Sequence, residues 1–146
     1  MADGTGDTRR IVVGYDGSEA SEPALRWAFG QAQTIGAALE VVRAWYLPVT
    51  YGVPLVSSAE EIATAADESL NETVDKLAAE HPGVRVERTV VPGHAAAVLL
   101  ERAKDADLLV VGSHGHGGFV GALLGSVSQH CIHHATCPVV VVRSER

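Results

Sequence analysis

The chain has 146 residues, 47% of them apolar and 20% charged, which is the size and balance of one globular domain rather than a disordered or multidomain chain. Acidic residues outnumber basic ones 18 to 11, for a net charge of −7, and the longest basic run is Arg9-Arg10, so neither nucleic acid nor an anionic membrane is an expected partner. No run of 18 apolar residues is present, residues 1–10 lack a signal peptide's apolar core, and two cysteines (Cys131 and Cys137) make no disulfide framework, so the expected location is cytoplasmic.

Residues 1–9 read as a polar tail and 10–146 as the domain. Ile11–Tyr15 predicts the first strand, with Ile11-Val12-Val13 unbroken in apolar character. A helix follows, in which Leu25, Ala28, Phe29, Ala32 and Ile35 share a face. Ser18 or Ser21 can cap it, and Pro23, tolerated only in a first turn, favours Ser21. Gly36 suits its end. Leu39–Trp45 predicts strand 2, and the proline- and glycine-bearing stretch from Tyr46 to Ser57 a surface loop. From about Ser58 to His81 a second helix turns Ile62, Ala66, Leu70, Val74 and Leu77 inward. Its acids Glu60, Glu61, Asp67, Glu68, Glu72 and Asp75 read as a solvated face, the first two also favourable to the helix dipole. Val84–Val91 alternates at its start, as a half-exposed strand does. A third helix is expected from about His94 to Lys104, an apolar strand 4 at Leu108–Gly112, and a fourth helix from Ser126, where Ser126-Val127-Ser128-Gln129 has the form of a capping box. Pro138–Arg143 predicts strand 5.

Alternation of strand and helix implies a doubly wound parallel sheet with right-handed crossovers. Apolar strands 1 and 4 belong at its centre and alternating strand 3 at an edge, which the order 3-2-1-4-5 satisfies. In that order the connections reverse between strands 1 and 4, and a ligand crevice is expected beyond their C-terminal ends. Strand 1 ends in Gly14-Tyr15-Asp16-Gly17-Ser18. Strand 4 runs into a segment with six glycines between positions 112 and 125, against a background of about 7%. Glycine lets backbone N–H groups approach an anion, and the segment feeds a helix N-terminus that attracts phosphate. A flexible loop before a capped helix would have the same residues, so locally both readings stand.

Gly112, Gly115, Gly125 and Ser126 meet the pattern Gly, two residues, Gly, nine residues, Gly, Ser or Thr. With the Asp16-Gly17-Ser18 turn and His134-Ala135-Thr136-Cys137-Pro138-Val139, the chain from Arg10 to Arg143 resembles the universal stress proteins of the nucleotide-binding subgroup. The resemblance implies a Rossmann-like fold akin to the adenine nucleotide alpha hydrolases, five parallel strands in the order 3-2-1-4-5 with four helices, a homodimer, and ATP with its Mg²⁺ as ligand. It places Asp16, with Gly17 and Ser18, at the nucleoside end and the backbone of Ala44 at the adenine. Gly112, Ser113, Gly115, Gly125, Ser126 and Ser128 would line ribose and phosphates, flanked by Val111 and Val127.

No Lys or Arg occurs from Ser113 through Val142, and His114 and His116 stand in the loop instead. A triphosphate there leans on backbone amides and Mg²⁺, and cyclic AMP, with one charge, is the competing ligand. The dinucleotide fingerprint is absent after strand 1, and the clustered acids of a phosphoacceptor domain are missing, since Asp16 stands alone. With no basic residue or second carboxylate expected near the loop, a binding and signalling module is favoured over an enzyme, with at most slow ATP hydrolysis.

His130, His133 and His134 share one helix face, read as a solvated or dimer-facing patch rather than a metal site. Cys131 is expected in the core and Cys137 at a helix end. Trp27, Phe29 and Trp45 are expected in the core or pocket wall. Val139-Val140-Val141-Val142 forms an apolar strand at a sheet edge with no interior charge, and a second copy pairing there is the expected cover.

Overall fold

The computed structural model describes residues 9–45, 58–114 and 124–144. Among them, ten elements alternate: β1 (Arg10–Gly14), a 3-10 turn (Glu19–Ser21), α1 (Glu22–Ile35), β2 (Ala38–Trp45), α2 (Ala59–Glu80), β3 (Val86–Pro92), α3 (Ala95–Arg102), β4 (Leu108–Gly112), α4 (Ser126–His134) and β5 (Val139–Val142). All four strand pairings are parallel, and the sheet order is β3-β2-β1-β4-β5, as expected for a doubly wound domain. None of these helices is long and apolar enough to cross a membrane.

Both faces of the sheet are covered. On one, Ile11, Val13 and Val41 pack against Leu25, Phe29 and Ala32 of α1 and Leu70, Val74 and Leu77 of α2. On the other, Val12, Val42, Leu109 and Val111 pack against Leu99 of α3 and Cys131 of α4. Period-2 alternation along each strand therefore feeds two separate cores, which is why β1 and β4 read as continuous apolar runs.

Gly36 ends α1 at φ 72°, the left-handed conformation that glycine adopts without strain. Ser58 caps α2 reciprocally with Glu61: each side chain bonds the other residue's N–H, at 3.1 and 2.8 Å. The Ser-x-x-Glu spacing announced that box, although the sequence reading took only the acidic first turn from it.

Three expectations change. Ser21 stands at the N-cap position of α1 but makes no capping bond. Ser18 instead caps the preceding 3-10 turn, its Oγ accepting from the Ser21 N–H at 3.2 Å. The supposed capping box at Ser126 is not one, because Gly125 is the N-cap of α4 and Ser126 already lies inside the helix. Trp27 is 38% exposed, not core. Phe29 is fully buried, with His81 against its ring, and Trp45 is half-buried.

Glu40 is the feature the sequence reading passed over. It lies in mid β2, only 1% exposed, facing the α3 side of the sheet. Its Oε1 accepts from Arg10 Nη1 at 2.8 Å, and its Oε2 from Arg102 Nε at 2.8 Å and Thr89 Oγ1 at 2.7 Å. One buried carboxylate thereby ties β1, β2, β3 and the end of α3 together. An acid at an inward position of a covered strand needs such partners, and that requirement was the available signal.

Candidate functional site

The C-terminal ends of β1, β2 and β4 open into one cleft. Its wall includes Asp16 after β1, Val42 and Ala44 of β2, Val111 and Gly112 of β4, His114, and Gly125 through Ser128 at the start of α4. The space measures about 680 Å³, counting the part open to solvent.

Each wall has a local cause. β1 stops at Gly14, where Tyr15 turns into the opposite core and its hydroxyl meets Thr73 Oγ1 of α2 at 3.0 Å. Asp16 then closes a turn on itself, its Oδ1 accepting from Ser18 N–H at 2.9 Å and Ser18 Oγ at 2.6 Å. Gly17 in that turn has φ 85°, which requires glycine.

The parity of β2 sets its backbone polarity. Leu39 N–H bonds toward β3 and Val42 C=O accepts from Tyr15 N–H toward β1. Ala44, two residues beyond Val42, consequently turns its N–H and C=O to the β1 side, past the point where β1 has ended. Those groups therefore look into the cleft.

α4 is anchored to β4 by a backbone clasp. Gly125 N–H donates to Ser113 C=O at 2.6 Å, and Ser113 N–H donates to Val142 C=O at 2.9 Å. Ser128 Oγ–H is shared between Gly125 C=O at 3.0 Å and Ser113 C=O at 3.3 Å, so this hydroxyl is committed within the protein. No side chain caps α4, and the amides of Ser126, Val127 and Ser128 begin the helix at the cleft with its positive dipole end.

Most of the sequence-derived residues meet here: Asp16, Ala44, Val111, Gly112, Gly125, Ser126, Val127 and Ser128 line the cleft. Gly17, Ser18 and Ser113 are not among the lining residues: the first two belong to the Asp16 turn and Ser113 to the clasp on α4. Gly115 and His116 lie outside the described residues. Sequence reasoning missed Ala95 and Leu99, which α3 contributes. A Cβ on Gly14 would stand 2.8 Å from Leu99 Cδ1, so the leucine tip packs directly on Gly14. The expectation of no basic residue near the segment after β4 concerns residues that lie largely outside those described, but an arginine does stand behind the turn after β1. Arg43 packs against the Asp16-Gly17-Ser18 turn, its Nη1 2.8 Å from where a Cβ on Gly17 would lie.

His130, His133 and His134 are exposed, the first and last rings 5.2 Å apart. Among the described residues no three His, Cys, Asp or Glu side chains are grouped as a metal site would need. Cys131 is fully buried. That burial, with Cys137 nearby, raises its thiol to about 11. Burial also raises Cys137 above the ordinary thiol range. Neither is a thiolate at neutral pH, and neither is poised for redox chemistry.

The universal stress protein family profile matches residues 7–143. A universal stress protein of Mycolicibacterium smegmatis is 42% identical over 133 residues, covering 91% of this chain and 45% of its own. One of Mycobacterium tuberculosis is 39% identical over the same shares. The chain thus spans about half the length of these curated relatives. Among solved structures, a universal stress protein in complex with cAMP aligns at TM-score 0.71 and 28% identity, covering 94% of this chain and 98% of that one. The Archaeoglobus fulgidus protein in complex with dAMP aligns at 0.66 and 24% identity, covering 92% and 97%.

Proposed function

The chain belongs to the universal stress protein family, and from that premise we propose that its cleft binds an adenine nucleotide, ATP with Mg²⁺, as a signalling module and not as a catalyst. The observation that carries the reading is the uncapped start of α4, three backbone amides and a dipole end opening on the cleft at the ends of β1 and β4. Adenine suits the other end, where the outward-turned N–H and C=O of Ala44 match a base edge that both donates and accepts. Asp16 stands between them at the ribose. A structural relative carrying cAMP supports the choice of adenine.

The residues fit a triphosphate only with help. Among the described residues no Lys or Arg lines the cleft, and Asp16 is its only carboxylate, with one oxygen already taken by Ser18. A magnesium ion would be held chiefly by the phosphates and water, and it would supply the charge compensation that the described wall lacks. Titration calorimetry tests this. ATP is expected to bind at micromolar Kd, near −8 kcal/mol by rough conversion, and to weaken at least about tenfold when a chelator removes Mg²⁺. Cyclic AMP should be indifferent to the chelator. Equal ATP affinity with and without the metal would refute the charge argument, and tighter binding of cyclic AMP than of ATP would make it the ligand.

A second copy is proposed along β5. All four residues, Val139 through Val142, are only half-buried, and the strand is a sheet edge. Ile132 of α4 and Trp27 of α1 are further exposed large apolar side chains. Antiparallel pairing of two β5 strands across a two-fold axis would cover this apolar strip in a closed dimer. In sedimentation the chain should run as a dimer and Val141→Glu as monomer or aggregate. A wild-type monomer at micromolar concentration would contradict the proposal.

A further inference from the structure

Arg43 stands immediately before Ala44 on β2 but takes no part in the cleft wall. By strand parity it shares the face of Val41, on the α1 and α2 side, whereas Val42 and Ala44 face the cleft. Its guanidinium lies against Gly17. A Cβ there would be 2.8 Å from Nη1 and 3.1 Å from both Cζ and Nη2, so the guanidinium occupies the space directly beside the turn. Arg10, Arg26, Arg88 and Arg102 each reach a carboxylate. Arg43 reaches none of those described, and its Nη1 is buried with no hydrogen-bond partner. Leaving a buried donor unsatisfied is costly, and groups kept that way are found where position matters more than stability.

What the guanidinium backs is a chain of short bonds. Gly17 at φ 85° sets Ser18, whose N–H and Oγ–H hold Asp16 Oδ1, and Ser18 Oγ then accepts from Ser21 N–H. Any shift of Gly17 moves the Asp16 carboxylate in the cleft. We infer that Arg43 is a positioning residue: its planar guanidinium, seated behind Gly17, fixes the Asp16 turn against the nucleoside end of the bound ligand. The inference rests on the proposal that the cleft takes an adenine nucleoside, and it assigns the residue no contact with phosphate. Lysine cannot substitute, since the required property is a flat surface and not only a charge.

The test compares wild type, Arg43→Met, Arg43→Lys and Gly17→Ala. Affinity is measured for adenosine, AMP and ATP, and amide hydrogen exchange is followed at Ser18 and Ser21 in the ligand-free protein. All three variants should lose about tenfold in affinity, by the same factor for all three ligands, with faster exchange at both amides. Gly17→Ala, which strains the turn's backbone and presses on the same contact from the glycine, keeps the question answerable should Arg43→Met fold poorly. A loss that grows with the number of phosphates would overturn the inference in favour of a direct charge role, as would full activity of Arg43→Lys in binding. Unchanged exchange in Arg43→Met would overturn it outright. Should wild type bind none of the three ligands, the proposed function fails, while the exchange rates still decide whether Arg43 holds the turn.

Discussion

Gly125→Val is expected to weaken ATP binding by a factor of about 100 or more, about 2.7 kcal/mol, with the fold retained. Gly125 is buried, lines the cleft and directly precedes the open amides of α4. Its φ of −75° and ψ of 169° suit any residue, so valine adds no backbone strain. The N-cap preference it forfeits is worth on the order of 1 kcal/mol. What it adds is two methyl groups beside the place proposed for phosphate. Calorimetry for affinity and thermal unfolding for stability together check the prediction, and unimpaired binding would mean that α4 does not hold the phosphates. Ser126→Ala should cost about 1 kcal/mol of binding or less. Ser126 is exposed and does not cap the helix, so only one hydroxyl is lost.

The largest loss of stability is expected from the Glu40 cluster, and its sign depends on which partner is removed. In the double variant Arg10→Met with Arg102→Met, the carboxylate stays in a place only 1% exposed with Thr89 alone for company. That should cost about 3–5 kcal/mol, with a fall in Tm of about 10 °C. Glu40→Leu should cost less than half as much, because the two arginine side chains are 31% and 42% exposed and can turn to water, and leucine fills the site. Chemical denaturation of both variants measures the contrast. A Glu40→Leu protein less stable than the double variant would show that the carboxylate holds the strands by more than charge pairing. Nucleotide affinity should fall in the double variant as well, since Arg102 ends the helix that supplies Ala95 and Leu99 to the cleft.

The element order, the strand order and the crevice were legible without coordinates because each rests on a local pattern. Runs such as Ile11-Val12-Val13 and Val139 to Val142 mark strands by composition. The spacing of Leu70, Val74 and Leu77 marks a helix face, and the order of central and edge strands then follows from how apolar each run is. Gly112 and Asp16 could be placed at the crevice for the same reason, since they sit at strand ends that topology alone brings together.

What remained hidden were contacts between residues far apart in the chain. Glu40 meets Arg10, Thr89 and Arg102 across separations of 30, 49 and 62 positions, and nothing in the spacing of those residues pairs them. Ser126 was mistaken for a cap because Ser-x-x-Gln satisfies the local rule, whereas Gly125 stands at the N-cap position, bonded to Ser113 just after β4. Arg43 looked like any strand arginine until the turn after β1 laid Gly17 upon it. Sequence alone determined the periodicities and hence the topology. Only the tertiary structure decided which side chains share a low-dielectric space, because burial and charge pairing depend on distance in three dimensions and not along the chain.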